Sequence, residues 1–201
     1  MKEYIKLKPN LPKSITVFPY FGEKVLLVAA SLNGGNVLDI FVESLLNWYT
    51  QLGMQNELDK ELNFKQRKDC LFERLIKLCE ESKSDEANNK LIKCKPTFYG
   101  ERHDKSDFGR IENICFDNIK SIENVFESMC RGLTENLNEM FDSDLLQQLG
   151  CKRIVATGNC VMRNSIVKSN LIKVFGKRFP ISFKMDNDSA YGAALFCAKD
   201  F

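Results

Sequence analysis

The run IVATGNCVMRN, residues 154–164, constrains this chain more than any other feature. It reads as a buried strand, a tight glycine turn at Gly158 and the start of a helix. Glycine carries no Cβ and tolerates positive φ, so such a turn lets the backbone approach a flat or anionic ligand closely. A second run, SAYGAA at 189–194, puts Ala190, Gly192, Ala193 and Ala194 on one short helix against which another backbone can press. Strand, glycine turn and helix together form the building unit of an α/β sheet with crossover helices.

With 201 residues, 44% of them hydrophobic, the chain can bury one real core. The 29 basic and 27 acidic residues nearly cancel, and the basic ones are scattered. Neither nucleic acid nor an anionic membrane is therefore an expected partner. The eight cysteines form no Cys-x-x-Cys pair and His103 is the one histidine, so no zinc-type site is expected. Cys115 and Cys197 sit in apolar stretches and read as small hydrophobes. No signal peptide and no long apolar run stand in the sequence, which makes a reducing cytosol the expected compartment. The opening MKEYIKLKPNLPK has neither a capping signal nor a periodicity, and reads as a loop or as part of a strand that has lost its beginning.

Along the chain, residues 14–20 and 25–31 predict a hairpin turning at 21–24. Asn33-Gly34-Gly35-Asn36 then breaks the strand. Apolar residues at three- and four-residue steps predict a helix over 37–52 with Gly53 as its cap, and a more charged helix over 58–81 carrying Leu62, Cys70, Leu71, Leu75 and Leu78. Residues 82–90 read as surface loop, 91–99 as extended up to Gly100, 107–110 as loop and 111–116 as a short strand. The clearest helix spans 121–141, with Ser121 at its cap and Gly132 in its middle. A mid-helix glycine costs about 1 kcal/mol relative to alanine, which suggests close packing against another backbone. Strands at 152–156 and 180–183 and helices at 164–175 and 189–199 complete an alternating second half.

Two glycine turns, Gly34-Gly35 and Gly158, precede helices. Either one alone is satisfied by turn geometry. Two at one edge of a sheet point to a ligand at the carboxyl ends of the strands. Neither a P-loop nor a dinucleotide fingerprint is present. Gly100-Glu101-Arg102-His103 offers a histidine beside charged residues, but a turn whose Glu101 and Arg102 make structural hydrogen bonds is the better reading. Asp186 and Asp188 suit a helix cap.

Four segments, FPYFGEKVLLVAASLNGGNVL, PTFYGERH, CRGLTENL and the tail from IVATGNCVMRN to AYGAAL, resemble in family order the carboxy-terminal domain of the FGGY carbohydrate kinases. Residues 55–93 add little to that resemblance. It implies an α/β, ribonuclease-H-like (actin-like ATPase) domain, a mixed sheet flanked by helices, lacking its first strand or strands. The whole chain, 1–201, would be one nucleotide-side domain, with 54–93 a helical insertion. The resemblance further implies ATP with Mg2+ as cofactors and a phosphoryl transfer to a sugar. Gly35 would lie near the phosphates and Asp39 one helical turn on. The adenosine motif falls on Gly158 with Asn159 beside it, and the adenine-side asparagine on Asn164. Gly192, Ala193 and Ala194 would pack at the interlobe hinge against the helix bearing Gly132.

The sequence departs from the family in reading Thr157-Gly158-Asn159 where Gly-Gly-Ala is frequent. The family's amino-terminal lobe, with its first phosphate loop, sugar contacts and catalytic aspartate, has no counterpart here. No catalytic base and no metal-holding residue is therefore assigned, and the sugar would be bound through that other lobe. Exposed apolar surface on the interlobe face would favour self-association. Half of a carbohydrate kinase, a non-enzymatic regulatory or binding domain, and a kinase of the same family for another sugar or polyol all remain open at this point.

Overall fold

The computed structural model describes residues 11–20, 24–54, 61–82 and 92–184. The hairpin forms as expected. Strand β1 (Ile15–Pro19) pairs antiparallel with β2 (Val25–Ala29), Ile15 opposite Ala29. Helix α1 (Gly35–Gln51) buries Val37, Leu38 and Val42. It stops at Gly53, whose φ of 68° is the left-handed conformation glycine adopts freely and whose N–H reaches the Thr50 carbonyl.

Helix α2 (Phe64–Glu81) starts later than the expected residue 58. The reason is a reciprocal cap: the Asn63 side chain accepts the Gln66 N–H, and the Gln66 side chain accepts the Asn63 N–H, each at 3.0 Å. Its buried stripe is Leu75 and Cys79 with Leu71 and Ile76 beside them, whereas Leu62 and Cys70 are exposed.

Strand β3 (Lys93–Lys95) pairs antiparallel with β4 (Arg110–Glu112). The extended segment expected over 91–99 is thus shorter, and the strand expected over 111–116 ends early. Asn118 decides the latter. Its side chain accepts the Cys115 N–H (2.9 Å) and donates to the Asn113 carbonyl (2.8 Å), folding Phe116–Ile119 into a one-turn helix, α3.

Helix α4 (Ile122–Met140) is the longest among the described residues. Ser121 stands at its cap position without a side-chain cap bond. Helix α5 (Ser143–Gln148), capped by Asp142, leads to β5 (Ile154–Ala156). Then come α6 (Asn159–Met162), α7 (Ser165–Phe175) and β6 (Ile181–Phe183), which returns parallel to β5. Both α5 and α6 are too short to leave a periodicity in the sequence. The described strands form three separate two-stranded ladders, two antiparallel and one parallel, rather than one continuous mixed sheet.

The core lies where α1, α2, α4 and α7 meet. Phe126 of α4, fully buried, stacks on Phe41 of α1 with centroids 6.3 Å apart and meets Phe72 of α2 edge-on at 5.6 Å. Burying such a ring stabilises the fold by about 1.5–3 kcal/mol. Gly132 is close-packed as its sequence suggested. A Cβ there would sit 1.9 Å from the Cys94 carbonyl oxygen and 2.8 Å from Pro96 Cδ. Among the described residues its neighbour is therefore β3. The helix expected at 189–199, Asp186, Asp188 and the small-residue tail from Gly192 to Ala194 lie outside the described residues.

The packing predicts a sign for Gly132→Ala. Helix propensity favours alanine by about 1 kcal/mol, but overpacking against a backbone carbonyl costs about 3 kcal/mol or more, so the clash wins. Urea denaturation should show the variant less stable by about 2 kcal/mol or more.

Candidate functional site

Two turns build the site. The first carries the chain from β2 into α1. The Asn33 N–H donates to Ser31 Oγ (2.9 Å), the Gly34 N–H to Asn36 Oδ1 (2.7 Å), and Asn36 Nδ2 to the Leu32 carbonyl (3.0 Å). Helix α1 then begins with no side-chain cap on its first turn and no acidic residue in it. The Val37 N–H already reaches the Gly34 carbonyl (3.1 Å), so among the described residues the Gly35 and Asn36 N–H groups are the ones left to carry the positive end of the helix dipole.

The second turn joins β5 to α6. Gly158 has φ 98° and ψ 156°, a region reserved in practice for glycine. A Cβ there would meet nothing within 4 Å, so the requirement is conformational rather than steric. The two turns touch. A Cβ on Gly35 would stand 3.0 Å from Cys160 Cβ, tight enough that Cys160 would have to give by a few tenths of an ångström to admit it.

Between them opens a cleft of about 780 Å3 lined by four residues the sequence singled out: Gly35, Asp39, Asn159 and Asn164. Gly158 shapes the turn rather than the lining. Asp39 is exposed and lies 3.6 Å from Lys68 of α2. The Asn164 side chain is 1% exposed and largely engaged. Its oxygen caps α7 by accepting the Ile166 and Val167 N–H groups (3.0 and 3.1 Å), and its amide donates to Cys130 Sγ (3.6 Å). Asn164 therefore belongs to the cleft as a wall with its oxygen already committed to the cap.

Helix α2 supplies most of what sequence reasoning missed: Lys68, Phe72 and Ile76, with Arg163 added from the end of α6. Phe72 and Ile76 are spaced four apart and flank the buried Leu75. That spacing was readable, but which side of the helix would face a cleft was not. Cys160 also lines the cleft; burial, and then the Asp39 charge, push its thiol above the usual range, so it stays protonated.

Beside the first turn, Glu101 is fully buried and makes the structural hydrogen bonds the sequence favoured. Its carboxylate accepts from Ser31 Oγ (2.7 Å), Asn33 Nδ2 (3.0 Å), Asn136 Nδ2 (2.7 Å) and the Leu32 N–H (3.2 Å). Burial pulls its pKa upward, but the bonds from Ser31, Asn136, Asn33 and Leu32 outweigh it and hold the carboxyl below its ordinary 4.5. Arg102 and His103 are exposed and do not line the cleft.

In fold the chain is similar to two xylulose kinases. The structure from Rhodospirillum rubrum matches with a TM-score of 0.66 at 14% identity, over 92% of this chain and 33% of that one. The one from Bifidobacterium adolescentis matches with a TM-score of 0.57 at 18% identity, over 87% and 29%. This is the actin-like ATPase fold that the resemblance implied. In sequence the chain is 33% identical to the sedoheptulokinase of Mus musculus and 32% identical to that of Homo sapiens, each over 187 residues and 93% of this chain. These likenesses support the resemblance of the chain to the FGGY carbohydrate kinases. It spans about a third of the length of the curated relatives it matches, 36% and 35%. No protein-family model matches it. Among the described residues no helix is long and apolar enough to cross a membrane.

Two outcomes follow from the geometry. Asn164→Ala removes the α7 cap and should cost about 1–2 kcal/mol in denaturant unfolding. For Glu101 the folded-state pKa is depressed, so its stabilisation is complete above the ordinary value of 4.5 and drains as pH falls through the lower folded value. Thermal melts of Glu101→Gln against wild type from about pH 7 to about pH 3, roughly the range over which carboxylates titrate, should show a gap that narrows toward the acid end.

Proposed function

We propose that the cleft binds the adenine nucleotide Mg-ATP, and that the chain is the nucleotide-side half of a sedoheptulokinase-like carbohydrate kinase. In that reading the whole enzyme transfers the γ-phosphoryl of ATP to a hydroxyl of sedoheptulose, yielding sedoheptulose 7-phosphate. The observation that carries it is the meeting of two glycine turns, Gly34-Gly35 and Gly158, at one cleft. The phosphates would lie at the amino end of α1, between Lys68 and Arg163, where unpaired N–H groups and side-chain cations favour an anion. Phe72 and Ile76 offer the base an apolar wall, and Asn159 a polar edge.

The donor set also suits magnesium, which needs only one or two carboxylates when phosphates and water complete its shell. Asp39 is the carboxylate beside the α1 entrance, with Asp69 and Glu73 further along the cleft. Bound with the nucleotide, the metal supplies charge neutralisation on the phosphates. Asp39 would then exchange its Lys68 partner for that cation, freeing Lys68 for the phosphates.

We read all 201 residues as one domain, with 54–93 an added segment whose helix α2 walls the cleft. The described cysteines are free thiols, which suits a reducing cytosol. Phosphoryl transfer depends on positioning and charge neutralisation from both sides, and among the described residues none is assigned the base's role, so this chain by itself should be inactive. A second reading, a non-enzymatic domain that pairs with another copy, draws on exposed Phe98, Phe108 and Phe116. A clean monomer in analytical ultracentrifugation would remove it.

Titration of the purified chain with ATP and Mg2+ by calorimetry tests the leading reading. Weak but saturable binding is expected, reduced by Lys68→Ala about threefold to tenfold and abolished by Gly158→Val with far-UV circular dichroism retained. Absence of binding in the wild type, or unchanged binding in Gly158→Val, would overturn the placement. Formation of sedoheptulose 7-phosphate by the chain alone would overturn the expected inactivity.

A further inference from the structure

Glu101 is a carboxylate stripped of water that, among the described residues, accepts from four donors, none of them a cation. Such a group is tolerated only where its hydrogen bonds are complete. The origin of the donors is informative. Three of the four come from consecutive residues, Ser31, Leu32 and Asn33, and the next two residues are Gly34 and Gly35 at the start of α1. The fourth comes from Asn136 on α4, the central helix of the core.

Asn33 strengthens the joint. Its amide also donates to the Gly100 carbonyl (2.7 Å), and its oxygen accepts the Tyr99 N–H (3.3 Å). The loop bearing Glu101 is itself held by a conformation only glycine takes easily. Gly100 has φ 65°, and a Cβ there would lie 2.6 Å from the Lys105 carbonyl oxygen. A buried charge and a left-handed glycine thus fix three residues, and those residues aim the amino end of α1 at the Cys160 turn.

We propose that Glu101 is a positioning residue for the phosphate-binding end of α1. Its carboxylate ties the 31–33 turn to α4 and so sets where the free N–H groups of the first turn of α1 meet the ligand. The proposal rests on the nucleotide reading of the cleft. It assigns Glu101 no contact with the ligand. The dependence is steep because hydrogen bonds to a phosphate weaken quickly with small displacements and misalignment.

Glu101→Gln is the test. Glutamine can keep its oxygen toward Ser31, Asn33 and Asn136, but it turns an N–H toward the Leu32 N–H, so the turn loses one tie while the cavity stays filled. The full chain is measured two ways: hydrogen exchange of peptides covering 29–40 without ligand, and ATP affinity at a temperature where every variant is folded. Ser128→Ala is the control, since it removes another buried hydroxyl, bonded to the Val125 carbonyl at 2.7 Å, that does not reach the turn. Faster exchange in 29–40 and ATP binding weakened about tenfold in Glu101→Gln, with the control near wild type in both, supports the proposal. Unchanged exchange, or affinity within about twofold of wild type despite a lowered melting temperature, reduces Glu101 to a structural role and overturns it. If Glu101→Gln does not fold, Asn136→Ala cuts the same tie at its α4 end and is read by the same two criteria. A wild-type chain that binds no ATP overturns the nucleotide reading and this role with it. That failure differs visibly from one in which wild type and Glu101→Gln bind alike.

Discussion

Helix α4 is the member on which the other parts depend, because four different contacts use four of its positions. Phe126 fixes α1 and α2 through its ring contacts. Gly132 removes a side chain so that the carbonyl of Cys94 on β3 can approach. Cys130 receives the amide of Asn164, the residue that caps α7 after the Gly158 turn. Asn136 donates to Glu101, which holds the turn before α1. Both glycine turns are therefore referred to one rigid helix. A close-packed interior transmits such placements because it has few voids in which to relax them.

The cleft between the turns combines charge types that would repel or neutralise one another if they were free to move. The α1 amino end, Lys68 and Arg163 favour an anion, while Asp39, Asp69 and Glu73 oppose it. Asp39 and Lys68 at 3.6 Å form a partly exposed pair, which is worth little to stability. Its partners are correspondingly easy to redirect toward a phosphate and its counter-cation. The apolar side of the same cleft comes from α2, whose Leu75 and Cys79 anchor it in the core while Phe72 and Ile76 line the opening. A segment that carried little of the family likeness therefore supplies one wall.

Where the sequence was readable, a periodicity or a special residue marked the element. The hairpin, α1, α4, α7 and the parallel β5–β6 pair follow from alternating or three-to-four spaced apolar residues. Gly53 and Gly132 did what their positions suggested, one ending a helix and one admitting a backbone. The misses have local hydrogen-bond causes. Asn63 with Gln66 set the start of α2, and Asn118 converted an apparent strand into α3. Asparagine competes with regular backbone pairing by bonding nearby main chain, and which partner it selects depends on the three-dimensional surroundings.

The family resemblance implied that Gly35, Asp39, Gly158, Asn159 and Asn164 share a site, while the sequence by itself determined the conformational requirements: which turns need glycine and which faces are apolar. These are properties of single residues and their spacing, and they hold whatever the chain packs against. Only the tertiary structure decided how those residues are used. It brought Gly35 against Cys160 across more than half the chain, committed the Asn164 oxygen to a cap, and swung α2 over to complete the cleft. It also turned Glu101, one charged residue in a polar turn, into a buried brace. Contacts between residues distant in sequence arise from the packing of whole elements, and no local pattern encodes which of them will meet.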